Sequence, residues 1–441
     1  NGTEIMRINL PDTPINYTTQ ALTYIGGDDE DAFTDFNLPS QDLINGINTL
    51  AVEIHQYNGN SSDISFDLEL FLNSYNAYSI LDTISFGNQK TDVSRGRFPD
   101  GSEDWFYFGD PTPASANSIH GKITTQQMEM AQVSPEPGVF ANPLTISAMS
   151  IEQDANIQYT IDGKRPNFTE SEFGEDIIVE NSAPFRTRVY SDEFLPSPST
   201  YHSYLVNEPL TNLPVVSIIA DPDWLWHDQF GIYQNELKKR EIPISLQLFD
   251  PSGNLLVNVN AGIRLAGLNI WRFAQKPLLV KMRNRYGFDQ LDYPLFEDIP
   301  VSMFTEFVLR NGGDDWHGAF LKDALTPALL GWRINNARQA YRPVSSYING
   351  EYWGIYNLRE KFDATYFQQH FGANPDELDH IGMTVLEDWV VVEDVFSGDR
   401  LEYDELLYFL DTADLNDAEN YTQLQTMMDI DNFIDYMIIQ L

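Results

Sequence analysis

The sequence predicts a multidomain chain in which all-β, sandwich-like modules precede an α+β domain, and three observations carry that expectation. Up to about Val206, short runs of alternating apolar and polar residues are divided by Gly, Asn, Asp and Pro, the pattern of half-buried antiparallel strands. The run from Leu213 to Ala220, LPVVSIIA, is continuously apolar, as a strand buried on both faces is. After it, the stretches Phe320 to Trp332 and Tyr403 to Leu410 take up helical spacing. A length of 441 residues suits about three domains, and 42% hydrophobic residues supply several cores.

Composition narrows the function classes. With 66 acidic against 26 basic residues the formal charge is −40, which repels nucleic acid at long range. The absence of cysteine excludes disulfides, thiolate metal sites and cysteine nucleophiles. No run of 18 apolar residues spans a bilayer. The acidity, the wealth of Asn, Asp, Ser and Thr, and the aromatic-rich strands favour an exported bacterial protein, extracellular or at the cell surface. The charge is uneven: Lys238 to Lys361 holds 16 basic and 12 acidic residues, net +4, and the remainder carries −44. A solvated basic face accounts for that excess; the sharper alternative is an anion site such as one for nucleotide phosphate.

Residues 1–73 read as strands and turns, with Ile47 to Leu72 alternating on both sides of an Asn58-Gly59 turn. The phrases AVEIHQ and SSDISFDLEL resemble the last strands of galactose-binding-like jelly rolls. His55 reads as a packing residue rather than a ligand, and the acidic run Asp28, Asp29, Glu30, Asp31 as a solvated loop without calcium-loop spacing. In residues 74–117, SRGRFPDGS followed by Trp105 and then PTP with Asn117 resembles the closing half of a lamin-tail β-sandwich, with Ala114 where that family usually has glycine. About 44 residues are too few for such a sandwich, which takes on the order of 100. Residues 130–206 contain NIQYTIDGKRPN, a strand with Ile157, Tyr159 and Ile161 on one face and an Asp162-Gly163 turn expected to close a hairpin. This resembles the accessory β-sandwich at the C-terminus of chitobiase and related hexosaminidases. A glycoside hydrolase reading lacks a carboxylate pair in a recognisable setting.

The domain from 212 to 441 carries the motifs. In AGIRLAGLNIWRFAQKPLLVKMRNRYG, two strands near Ile263–Leu265 and Leu278–Met282 flank a turn with Gly267, and Arg272, Lys276 and Lys281 come in close order after it. A glycine turn lets backbone amides approach a phosphate, with lysine as a point charge and arginine as a fork of donors. FVLRNGGDDW puts a buried strand before Gly312-Gly313 and the carboxylates Asp314 and Asp315, which suit either a ligand or a helix N-cap. NGEYWGIYNLREKFD places an Asn349-Gly350 hairpin turn before a strand that runs into Arg359-Glu360-Lys361.

Together with YRPV from Tyr341 to Val344, these segments resemble the spore-coat CotH kinase-like family over about residues 212–441. The glycine-glycine-x-serine-arginine of that family stands here as Gly267, Leu268, Asn269, Ile270, Trp271, Arg272, and its arginine-aspartate as Lys322-Asp323. The resemblance implies a kinase-like α+β domain that takes ATP and Mg2+ and phosphorylates hydroxyls of secreted or surface proteins. It also implies a nucleotide site of Arg272, Lys276 and Lys281 facing Glu351 or Glu360, the last two being the expected partners of a lysine. The alternative is a non-enzymatic surface or matrix scaffold whose sandwiches bind glycans or neighbouring proteins. No catalytic or metal residue is assigned: the family's metal-binding aspartates come after the helix that here reaches Leu441, so the chain is expected to be inactive alone. It opens on Asn1-Gly2-Thr3 without an export signal, and both ends are expected to be cut.

Overall fold

The computed structural model describes residues 67–74, 77–85 and 93–440 apart from 113–114, 153, 210, 269, 323, 326–327, 329–335 and 387–388, together with 6–10, 19, 21–22, 36 and 52. His55, the acidic run 28–31 and the Asn58-Gly59 turn lie outside the described residues, as does most of the helix expected over 320–332.

Asp67–Ser74 and Ala77–Ser85 pair antiparallel. Ser94–Arg97 and Trp105–Phe108 form a second hairpin, on which the Arg97 guanidinium lies 4.9 Å from the Trp105 ring centroid. Gly109 and Asp110, at the end of this hairpin, are fastened to the next unit by Arg188. That side chain, 1% exposed, donates to the carbonyls of Gly109 at 3.0 Å and Ser197 at 2.9 Å and ion-pairs with Asp110. A buried guanidinium needs this many acceptors to offset its lost hydration.

Two sheets make up that unit, a β-sandwich. One pairs Ile177–Val179, Leu144–Met149 and Gln132–Ser134; the other orders Gly138–Phe140, His202–Val206, Ala183–Tyr190, Asn156–Thr160 and Ser171–Glu172. Ile146, Val179, Phe185, Tyr204 and Val206 fill the space between them. The expected strand at Asn156–Thr160 is present, but Asp162-Gly163 does not close a tight hairpin, because the strand's next partner is Ser171–Glu172. Gly163 serves proximity instead: a Cβ there would stand 2.5 Å from the Ala220 carbonyl and 2.7 Å from the Asn349 side chain.

Seven strands then close into a barrel: β1 Val215–Ile219, β2 Ile242–Phe249, β3 Leu255–Leu265, β4 Leu278–Lys281, β5 Glu306–Arg310, β6 Tyr341–Ile348 and β7 Glu351–Glu360. The ring order is β1-β2-β3-β4-β5-β7-β6; every pair is antiparallel except β6 with β1, which closes it in parallel. Inward residues alternate along each strand, with Val216 and Ile218, Ala261, Ile263 and Leu265, Leu278 and Val280, Phe307 and Leu309, and Tyr356 and Leu358 in one core. The β6-β7 turn is the predicted Asn349-Gly350, with φ of 49° and 82°, as a tight turn of right-handed twist requires.

Among the described residues the helices with both bounds set are the short α1 Pro222–Trp226, then α2 Ala364–Phe371, α3 Leu401–Thr412, α4 Ala418–Met427 and α5 Ile430–Gln440. Among the described residues the closed barrel comes first and the helices of eight or more residues follow it, with one hairpin, His380–Val385 and Val391–Ser397, between α2 and α3. Among the described residues no helix is long and apolar enough to cross a membrane.

The sandwich packs on the outside of β1, β2 and β6. Leu205 meets Val215, Phe249 and Tyr347. Ser203 Oγ lies 2.8 Å from Ser217 Oγ, Gln247 Oε1 accepts the Ser203 amide at 2.9 Å, and Tyr347 donates to Glu208 at 3.1 Å. These outward polar residues of the barrel are buried and satisfied by the neighbouring unit.

Candidate functional site

The three motif segments of the barrel meet at Gln275. Its Nε2 donates to the carbonyls of Trp353 at 3.1 Å and Ile355 at 3.0 Å, while its Oε1 accepts the Trp316 indole N–H at 2.9 Å. Its main-chain oxygen accepts Asn311 Nδ2 at 2.6 Å. Between the two β7 carbonyls stands Gly354, at φ 101°, where a Cβ would lie 2.9 Å from Gln275 Nε2.

Of the sequence-predicted residues, Arg272 is exposed and donates to Asp314 at 3.1 Å. Lys276, 6% exposed, donates to Glu236 at 2.8 Å and to the Ile270 carbonyl at 3.1 Å. Lys281 ion-pairs with Glu306 at 2.5 Å. None of the three meets Glu351 or Glu360, which corrects the expected pairing. Glu351 is exposed at the hairpin. Glu360 is buried, accepts the Ala340 amide at 2.8 Å and lies 2.7 Å from His370 Nε2. Strand register explains the miss: Leu278, Leu309 and Leu358 are aligned across three strands, so Lys276 and Glu360 lie on opposite sides of that row, about 13 Å apart along the strands. Asp315 acts as a cap, accepting the amides of Ala319 at 3.1 Å and Lys322 at 2.9 Å; the Lys322 bond leads in holding its carboxyl below the usual range.

What the structure assembles is a cationic outer face on β3, β4, β5 and β7. Because Ile263, Val280, Phe307 and Leu358 point inward, their neighbours point out. One row across the strands is Gly262, Lys281 and Glu306, with Lys361 continuing it; the next is Arg264, Leu279, Val308 and Arg359; Arg310 and Asn357 form a third. Arg264 Nε and Asn357 Nδ2 are buried without a hydrogen-bond partner among the described residues. Burial pulls the Lys361 ammonium below the lysine range, with Glu306 opposing and Arg264 reinforcing the shift. The Asp363 carboxyl is pushed up, first by burial. Lys361 also lies 5.7 Å from the Phe396 ring of the hairpin after α2.

Sequence reasoning missed Arg264, Glu306, Arg310, Asn357, Arg359 and Lys361 as a group. The signal was the period-2 placement of charges in EFVLRN and NLREK, which becomes a face once register is known. Unpartnered buried donors beside several cations fit phosphate oxygens. Among the described residues no three His, Asp or Glu side chains converge as a metal cluster.

Residues 263–441 match the model of the family described as CotH kinase protein. A search of curated proteins finds no match.

Proposed function

We propose that this is an exported CotH-type protein that holds the phosphates of ATP on the outer face of β3, β4, β5 and β7, for transfer of the γ-phosphate to hydroxyls of secreted or surface proteins. The observation that supports it is the juxtaposition of Lys281 and Lys361 beside the carboxylates of Glu306 and Asp363, with Arg264 close to Lys361 and its Nε unpartnered among the described residues, in a chain of net charge −40. Lys281 fixed by Glu306 is the lysine-glutamate pair such a site uses to present an ammonium to phosphate. Arg264 and Lys361 add charge-assisted donors. The β-rich pieces before Val206 are accessory modules on this reading, open to protein or glycan partners.

Calorimetric titration with Mg-ATP tests it. Lys281→Met and Arg264→Gln are each expected to weaken binding about tenfold or more, the equivalent of one charge-assisted hydrogen bond. A scaffold without nucleotide is the second reading, favoured by the closure of Lys276 on Glu236 and of Glu360 on His370. Wild-type protein that takes up no Mg-ATP decides for the scaffold.

A further inference from the structure

We infer that Gln275 is a positioning residue of the phosphate-holding face, clamping the Ile270–Lys276 loop and the Asn311–Trp316 loop to β7; this rests on the nucleotide reading above. Its carboxamide uses both Nε2 protons on strand carbonyls and its oxygen on an indole, so the amide orientation is fixed by its partners. The clamp continues through Asn311, 1% exposed, whose Nδ2 donates to the Gln275 carbonyl and whose Oδ1 accepts the Gly313 amide at 3.1 Å.

The residues it holds are neighbours of the cationic face. Ile355 stands two positions before Asn357 on β7, Asn311 comes directly after Arg310, and Lys276 directly after Gln275 itself. Arg272, on the same loop, reaches Asp314 on the other. A displacement of Gln275 therefore loosens both loops next to the Arg310–Asn357 ladder pair and bears on the Arg272–Asp314 contact between them. Glutamate fits the space but cannot donate, and its charge would face two carbonyl oxygens. Gly354 is part of the device, because any side chain there intrudes on the carboxamide.

The experiment uses the full chain with Gln275→Glu, Gly354→Ala and Trp316→Phe, and reads Mg-ATP affinity, the unfolding midpoint and the Trp316 indole N–H resonance. Gln275→Glu and Gly354→Ala are expected to move the indole resonance and to weaken Mg-ATP binding about tenfold, while Trp316→Phe, losing one bond, weakens it about threefold. An unmoved indole resonance in Gln275→Glu, or a moved resonance with unchanged affinity, overturns the inference. Should Gln275→Glu not fold, Gly354→Ala decides it by the same criterion, and Trp316→Phe by Mg-ATP affinity alone, where unchanged affinity overturns the inference. If wild-type protein does not bind Mg-ATP, the nucleotide reading fails and this role of Gln275 with it; an indole resonance that still moves then marks a clamp of purely structural use.

Discussion

The ammonium of Lys276 sits between a carboxylate and the carbonyls of its own loop, so its removal leaves Glu236, 22% exposed, and two carbonyls short of a donor. Breaking a buried pair from one side costs about 3–5 kcal/mol, and the partial exposure of Glu236 puts Lys276→Ala near the lower end. Denaturant unfolding should show a loss of about 3 kcal/mol, and a smaller one for Glu236→Gln. Nothing in the sequence named Glu236, which lies 40 residues upstream in a single 3-10 turn without periodicity. His202 offers a second measurement. Burial lowers its pKa to about 4 from an unfolded value near 6.5, and its Nδ1 has no partner among the described residues. The unfolded chain thus binds a proton that the folded one refuses, and stability falls as pH drops from about 6.5 to about 4. The effect is at most roughly 3 kcal/mol. His202→Phe should flatten that part of the stability-pH curve relative to wild type; equal slopes for both proteins would contradict the assignment.

At the scale of elements, the β6-β7 hairpin was legible because its two central residues must take positive φ and the flanking strands alternate. Its second use was not legible. Asn349 Oδ1 accepts the Ala220 amide at 3.0 Å and Nδ2 donates to the Ala220 carbonyl at 2.8 Å, while a Cβ on Gly350 would stand 2.7 Å from Ala183 Cα in the sandwich. Gly350→Ala therefore meets both a disfavoured φ and a backbone wall, and should cost about 2–3 kcal/mol by thermal or chemical unfolding. A change below about 0.5 kcal/mol would mean that the contact with Ala183 relaxes freely. The strands of the barrel were visible one at a time. Their order and register, which place Lys281 against Glu306 and keep Lys276 from Glu360, come from pairings distant in sequence that local periodicity does not encode.

Across the whole molecule, sandwich and barrel share Leu205, Val215, Phe249 and Tyr347 and a buried polar seam of Ser203, Ser217 and Gln247. Two bodies joined by such a seam should unfold together. Phe249→Ala, which removes a fully buried ring, is expected to cost about 3–5 kcal/mol and to lower amide protection in His202–Val206 as well as in β1 and β2. Protection lost in the barrel alone would show the two to be energetically independent. The sequence marked a boundary near residue 206 by its change of pattern, yet had no means of showing that both sides of it are buried.

The parallel seam between β1 and β6 bears on how the chain reaches this state. Val215 and Ser345, 130 positions apart, are direct partners, so the ring cannot shut until nearly the last barrel strand has left the ribosome. Until then, β1 offers an open edge of apolar residues for as long as synthesis of the intervening segment takes, at about 5–20 residues per second. A nascent chain halted near residue 330 should consequently be captured by chaperones that bind exposed strands, and one extended past β7 released from them.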